Sequence, residues 1–375
     1  MAHNFKTTIM KKTILILGTF LVFISQLINA QQTMDTLNGN SVSAIINDRG
    51  RLFNNPNTNL PGYEYPAGSG NHLIFSGGFW FGGTNQNGDL KLAAQLYGLE
   101  KEFYNGPFSN TNSYLDPAYL SSYATAIWTV KKSDIIYHIN NYNQSGYIAP
   151  AVILNWPGNG DSSLGVAEQL APYVDINNNG IYEPNLGDYP CIKGDMASYQ
   201  IMHEDLAHLT TGGEKIGAEI HMMLYQIQSN NFIDSTTFID VKVINRGQNS
   251  FSDFKATMFM DFDIGYFGDD YLGSFPSKNL IYGYNGDIFD EGVNGASGYN
   301  NTPPALGLMS LNKDFEYTWF VNRGDLGTPA TDDPSTVADY WNYMNGKWKD
   351  GTYWTYEGSG YGGTTPVQYI YDGNP

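Results

Sequence analysis

The stretch Ile216–Gln228, IGAEIHMMLYQIQ, sets Ala218, Ile220, Met222 and Leu224 on one parity and Glu219, His221, Met223 and Tyr225 on the other. A period of two marks a strand, because successive side chains point to opposite faces. Thr236–Asn245 (TTFIDVKVIN) follows, rich in β-branched residues, and Arg246-Gly247-Gln248-Asn249 supplies a turn. Phe254–Phe262 alternates again, with Phe254, Ala256, Met258, Met260 and Phe262 on one face and Lys255, Thr257 and Asp261 on the other. The alternation and short turns predict three consecutive antiparallel strands, adjacent in one sheet.

Working outward, Ser41–Ile46, His72–Phe81, Leu90–Tyr97, Leu306–Leu311 and Tyr317–Val321 carry the same signature, as does the short Tyr369–Tyr371. Between them lie Gly, Asn, Asp and Pro clusters, with turn-rich loops at Asn54–Gly70 and Asn105–Tyr123 and a candidate excursion at Asp325–Asp333. Helix is expected only at Ser133–Tyr142, where Ser133 caps and Ile135, Ile136 and Ile139 form a stripe. His138 within it reads as a packed or surface residue. With 42 Gly and 28 Tyr in 375 residues and only 15% charged, the composition excludes coiled coils and charge-rich disorder. The fold class is all-β: an antiparallel β-sandwich with long loops and very little helix.

Residues 1–30 read as a signal peptide: a basic start at Lys6, Lys11 and Lys12, an apolar run from Thr13 to Ile28, and a small-residue cleavage site at Ile28-Asn29-Ala30. The apolar run, broken by Gly18 and Gln26, falls short of the roughly 20 residues that a spanning helix needs. No later stretch qualifies, so the mature chain is expected to be exported without a membrane span. The whole chain carries 19 basic and 37 acidic residues, a formal charge of −18 that repels phosphate backbones, so nucleic acid is not an expected partner. One cysteine, Cys191, excludes an intrachain disulfide; beside Pro190 it reads as a small buried hydrophobe. Residues 31–375 form one β-rich extracellular region, subdivided at most near 170–200, and a strand pattern only four residues from the end reads as a chain cut short.

Several segments carry a family resemblance: SGGFWFGG at Ser76–Gly83, GDLKLAAQLY at Gly88–Tyr97, PAVILNWPGNGD at Pro150–Asp161 and LAPYVDINNNGIYEPNLGDYPCIKGD at Leu170–Asp195. VINRG at Val243–Gly247, MDFDIGYFGDDYLG at Met260–Gly273 and GYGGTTP at Gly360–Pro366 complete it. Together they resemble the N-terminal regions of secreted Bacteroidetes proteins of the type IX sorting-domain-containing group. The resemblance implies export by the general secretory route and then, through the type IX machinery, delivery to the medium or the outer cell surface. The sorting domain of that group does not follow within these 375 residues, so the type IX step belongs to a longer chain. The resemblance brings no activity with it.

The chemistry must come from residues. Asp175-Ile176-Asn177-Asn178-Asn179-Gly180-Ile181 matches the opening of an oxygen-ligand calcium loop, with side-chain oxygens at positions one, three and five and Gly at six. Asp175, Asn177 and Asn179 are the expected side-chain ligands and Ile181 gives its carbonyl. The twelfth position is Leu186 rather than Glu, so Asp188 closes the site, with Glu183 direct or through water; the alternative is an ordinary Asn-Gly turn. Asp261 and Asp263, two apart on a strand, share a face near Asp269 and Asp270. They are a solvated strand end, a second cation site or a glycosidase-type pair. His203-Glu204-Asp205-Leu206-Ala207-His208 misses the zinc-helix spacing of four. Trp341, Trp348 and Trp354 are a candidate platform for stacking sugars. The sequence reading is a secreted or surface-bound, calcium-stabilised β-sandwich that binds an extracellular glycan or protein in adhesion, with a secreted hydrolase of polysaccharide or peptide as its rival.

Overall fold

A computed structural model describes residues 33–97, 101–123, 127–292, 297–321 and 328–372. The signal segment 1–30 lies outside them, as does the first part of the 325–333 excursion. The chain runs β1 (Met34–Leu37), β2 (Ser43–Asn47), β3 (Asn54–Asn55), β4 (Leu60–Pro61), β5 (Tyr63–Glu64), β6 (His72–Thr84), β7 (Leu90–Ala94) and β8 (Tyr104–Asn105). Helix α1 (Pro117–Tyr123), β9 (Ile127–Lys131), α2 (Lys132–Asn141), α3 (Ala151–Leu154), β10 (Tyr173–Val174) and β11 (Tyr189–Pro190) lead to β12 (Met196–His203). Then come β13 (Ala218–Gln226), β14 (Thr237–Asn245), β15 (Lys255–Phe262), β16 (Asp270–Phe275), β17 (Leu280–Asn285), β18 (Ala305–Met309) and α4 (Val337–Met344).

Two antiparallel sheets make the sandwich: β1-β2-β5-β6-β15 with β7 also on β6, and β14-β13-β12-β8 with β9 also on β12. Their facing sides share one core. Leu37, Ala44, Ile46, Ile74 and Phe81 from the first sheet meet Met196, Met202, Ala218, Ile220, Met222 and Leu224 from the second. Both outer faces are covered as well. Trp128, Tyr199, Ile201 and Met223 pack under Ile135 of α2 and Ile153 of α3, while Trp80, Leu92 and Phe259 pack under Tyr340, Tyr343 and Met344 of α4. Phe81 and Trp80 therefore point to opposite sides, as period two requires.

The prediction of three adjacent strands holds for two. β14 pairs with β13, but β15 crosses to the other sheet and pairs with β6. The reason lies in the glycines of SGGFWFGG. A Cβ on Gly83 would stand 3.1 Å from Phe254 Cα, and one on Gly77 3.0 Å from Met260 Sδ, so β6 is shaped to receive this bulky strand. The connection is fastened there too, since Thr84 N–H donates to Asp253 Oδ1 at 2.7 Å. Period fixes that a segment is a strand, while its neighbour is chosen by side-chain fit.

Other corrections are smaller. Tyr317–Val321 and Tyr369–Tyr371 form no strand and meet in a single parallel bridge, Thr318 to Tyr369. The Asn105–Tyr123 loop contains α1. Helix α4 is an addition to the sequence reading, although Thr336 and Asp339 form its capping box, with Asp339 N–H donating to Thr336 Oγ1 and Thr336 N–H donating to Asp339 Oδ2. In the described part of the 325–333 segment Thr331 is fully buried, so that part is packed. Trp348 and Trp354 are 0% exposed and belong to the core under α4, which removes the proposed sugar platform. Residues 34–375 group as one compact unit, and among the described residues no helix is long and apolar enough to cross a membrane.

Candidate calcium loop and ligand cavity

The loop from Asp175 to Asp188 is closed at its base by β10 and β11, with Val174 opposite Tyr189. Asp175 cages the first turn: Asn178 N–H donates to its Oδ1 and Gly180 N–H to its Oδ2, both at 2.7 Å. Asn178 and Gly180 adopt left-handed φ of 58° and 80°, the conformations that Asn and Gly tolerate best. Asn177 Oδ1 accepts from Asn179 N–H and Asn179 Oδ1 from Ile181 N–H. Glu183 folds across the loop, its Oε2 accepting from the Asn179 side-chain amide at 2.5 Å. Asp188 is fully buried and holds both arms together, taking Ile176 N–H on Oδ1 and Glu183 N–H on Oδ2, each at 2.8 Å. The expected ligands are thus gathered in one loop, Ile181 at its half-exposed turn. Among the described residues no group of three or more His, Cys, Asp or Glu side chains stands in metal-holding geometry. The donor set here leans on two Asn amides and a carbonyl beside its carboxylates.

Asp175 also lines a cavity of about 600 Å³ against the outer face of the five-stranded sheet, together with Tyr173, Cys191, Tyr199, His221, Asp240 and Lys242. That volume falls in the range of small-ligand sites. A hydrogen-bonded chain runs from Tyr199 and His221 on its lining to Glu219 and Arg246 behind them. Arg246 Nη2 donates to Glu219 Oε1 at 2.7 Å, His221 Nε2 stands 2.9 Å from the same oxygen, and His221 Nδ1 is 2.7 Å from the Tyr199 hydroxyl. Burial would raise the Glu219 pKa, but the hydrogen bonds from His221 and Arg246 outweigh it and hold the pKa below the usual value. With His221 Nε2–H given to this carboxylate, the hydrogen-bond network assigns Nδ1 as acceptor of the Tyr199 O–H. Burial, with the Glu219 and Asp240 charges, raises the Tyr199 pKa, so Tyr199 stays a phenol and serves as a hydrogen-bonding group. The alternation places His221 and Tyr225 on this face; only the fold supplies Tyr199 and Arg246.

Cys191 departs from its expected burial: it is exposed at the cavity rim, directly after the short strand β11, with its N–H donated to Pro172 O. His138 is packed as read, its Nδ1 2.9 Å from the Tyr147 hydroxyl. His203 and His208 have separate roles. His203 stacks between Tyr104 and Tyr114, and burial pushes its pKa down to about 3. His208 Nδ1 lies 2.8 Å from Leu92 O and Nε2 3.1 Å from Glu204 Oε2. Burial lowers its pKa, yet the hydrogen bond and charge of Glu204 and the charge of Glu102 bring it above the usual value. Two acceptors on two ring nitrogens require the imidazolium. Glu204 is the hub of this corner, taking the N–H groups of Ile216, Gly217 and Ala218.

The third cluster borders a cleft of about 2260 Å³, whose lining includes Asp261, Asp263, Asp270, Tyr271, Tyr317 and Trp319. A bulge between Asp261 and Phe262 interrupts the strand alternation there. Asp270 Oδ2 accepts Ile264 N–H at 2.8 Å, while its Oδ1 and Asp269 Oδ1 are buried with no hydrogen-bond partner. Burial, reinforced by the charges of Asp269 and Asp290 and opposed by the Ile264 hydrogen bond, pushes Asp270 up to about 7. Asp290, which sequence reading missed, is fully buried and caps Tyr266 N–H and Tyr299 N–H. A Cβ at Gly265 would fall 1.9 Å from its Oδ2, so only Gly fits there.

No family model, curated protein or solved structure matches this chain.

Proposed function

We propose that this chain is a secreted or cell-surface β-sandwich binding protein, stabilised by calcium in the Asp175–Asp188 loop and acting in adhesion, rather than an enzyme. The observation that carries the reading is the cavity lined by Asp175, Tyr199 and His221, with His221 held from behind by the buried Glu219. A phenol, an imidazole, a lysine, a carboxylate and the Tyr173 ring suit a polyhydroxylated extracellular ligand, a glycan before a protein surface. The basic and apolar start of the chain and its resemblance to exported proteins support the location. The type IX machinery is the expected export partner of a longer chain, and the acidic charge disfavours nucleic acid.

A glycan array probed with the labelled chain from Gln31 onward tests this. Retention on a subset of glycans in millimolar calcium is expected, weakened about tenfold by chelator and by Tyr199→Phe, which deletes only the hydroxyl at the cavity floor. Retention unaffected by either, or none at all, contradicts the reading.

A hydrolase of polysaccharide or peptide is the second reading, favoured by Asp270 holding a proton near neutral pH in a cleft that also contains Asp261, Asp263 and Trp319. Release of reducing ends or peptides that Asp270→Asn abolishes would move the assignment there.

A further inference from the structure

Strand β14 ends its sheet: among the described residues its only strand partner is β13. It spans nine residues with no Pro, no Gly and no break in register, whereas β15, one of the edges of the first sheet, carries a bulge, and β1, at the opposite edge of that sheet, is only four residues long. Long, regular edges of this kind are templates for pairing. Its backbone parity can be read from two places. Arg246 N–H, just past the strand, donates to Gly217 O, and the register sets Asn245 opposite Ala218. Even-numbered residues therefore bond to β13, and Ile239, Val241 and Val243 turn their N–H and C=O outward. At the strand's start Thr237, also odd, bonds through its backbone to the Tyr63 hydroxyl instead of β13. The side chains of Ile239, Val241 and Val243 face the shared core but are only partly buried, so the core is open along this edge.

We propose that a second copy of this chain occupies the edge, with β14 pairing antiparallel to β14 of the copy about a two-fold axis at Val241. The sequence TFIDVKVIN is complementary to itself in that register. Asp240 falls opposite Lys242 of the copy, Lys242 opposite Asp240, Ile239 opposite Val243 and Phe238 opposite Ile244. Opposite charges and apolar pairs face each other at every such position, the pattern that stabilises cross-strand neighbours. A shift by one residue would break the charge match and turn core-facing side chains outward. The outward N–H and C=O groups at 239, 241 and 243 pair with those of the copy, and the half-covered aliphatics of the two cores close over one another. The contact is isologous, as closed two-fold dimers require. Asp240 can serve in it, since its ion pair with Lys193 lies on the surface with the Asp240 side chain 50% exposed.

Analytical ultracentrifugation of the chain from Gln31 onward is the test, with circular dichroism to confirm that each variant is folded. The unmodified chain should sediment as a dimer at micromolar concentration. Asp240→Lys places Lys opposite Lys, and Lys242→Asp places Asp opposite Asp, so each variant alone should dissociate at least tenfold more readily. An equimolar mixture of the two restores opposite charges at both positions and should re-form a dimer. An unmodified chain that stays monomeric at about 100 μM overturns the proposal, leaving the edge to another partner. So does a dimer indifferent to both variants, or a mixture that stays monomeric. Asp240 and Lys242 also line the cavity, so sedimentation is read without any glycan present, and its outcome does not depend on glycan binding.

Discussion

Glu204→Ala is expected to remove about 3–5 kcal/mol of stability, the loss typical of breaking a buried, hydrogen-bonded charge. Glu204 is 0% exposed and accepts from three consecutive N–H groups, those of Ile216, Gly217 and Ala218, at 2.9, 2.5 and 2.6 Å. The same carboxylate faces the His208 imidazolium at 3.1 Å. Alanine leaves those three donors without an acceptor at the entry to β13 and removes the nearest carboxylate from His208, which keeps the Glu204 and Leu92 carbonyls. The melting temperature should fall by on the order of 10 °C. Glu204→Gln keeps one acceptor oxygen and should lose less. A Glu204→Ala melt within about 2 °C of the unmodified protein would show that water or a shifted side chain replaces the carboxylate.

The second large effect has the opposite sign. Asp270 titrates at about 7 in the folded protein, above the ordinary 3.8, because of burial first and then the charges of Asp269 and Asp290. The folded state therefore keeps a proton that the unfolded chain has lost. Stability falls as pH rises from about 3.8 to about 7, and the full penalty is present above that. Asparagine imitates the protonated side chain at all pH values. Asp270→Asn should therefore stabilise by roughly 2–4 kcal/mol at pH 8, at about 1.4 kcal/mol for each tenfold difference in proton affinity between the folded and unfolded chain, and by little near pH 4. Denaturant melts at those two pH values measure it. A loss of stability at pH 8 would mean that the carboxylate is needed as an anion.

Period two makes both sandwich faces legible, because Ala218, Ile220, Met222 and Leu224 need an apolar layer and Trp80 must oppose Phe81. It does not say which strand lies beside which. Gly77 and Gly83 decide that for β15, and their meaning appears only when Met260 and Phe254 are set against them. The Asp175 loop is legible as a loop because Asp, Asn and Gly satisfy local backbone donors within a few residues. The cavity is not, since Tyr199, Cys191, His221 and Asp240 come from four separate segments. Cys191 reads as buried because a small thiol beside Pro190 resembles a core residue, while in space it follows a two-residue strand at the surface. Helix α4 is hidden because it is short and half of its apolar residues, Tyr340, Trp341 and Tyr343, are aromatics that read as strand, although Thr336 and Asp339 mark its start.

Calcium in the Asp175 loop, proposed to stabilise the binding protein, is most directly tested by thermal melts of the chain from Gln31 onward in chelator and in millimolar calcium, repeated on Asp175→Ala. With Asn at two ligand positions a calcium site here is expected to fall in the weak extracellular class, about 10⁻⁴–10⁻³ M. Calcium at ten times Kd then stabilises by about 1.4 kcal/mol, a rise of roughly 3 °C. That rise is expected in the unmodified protein and is lost in Asp175→Ala, whose own melt should not distinguish calcium from chelator. Equal melting temperatures of the unmodified protein in chelator and calcium would contradict it and leave Asp175–Gly180 as a turn held by its own backbone.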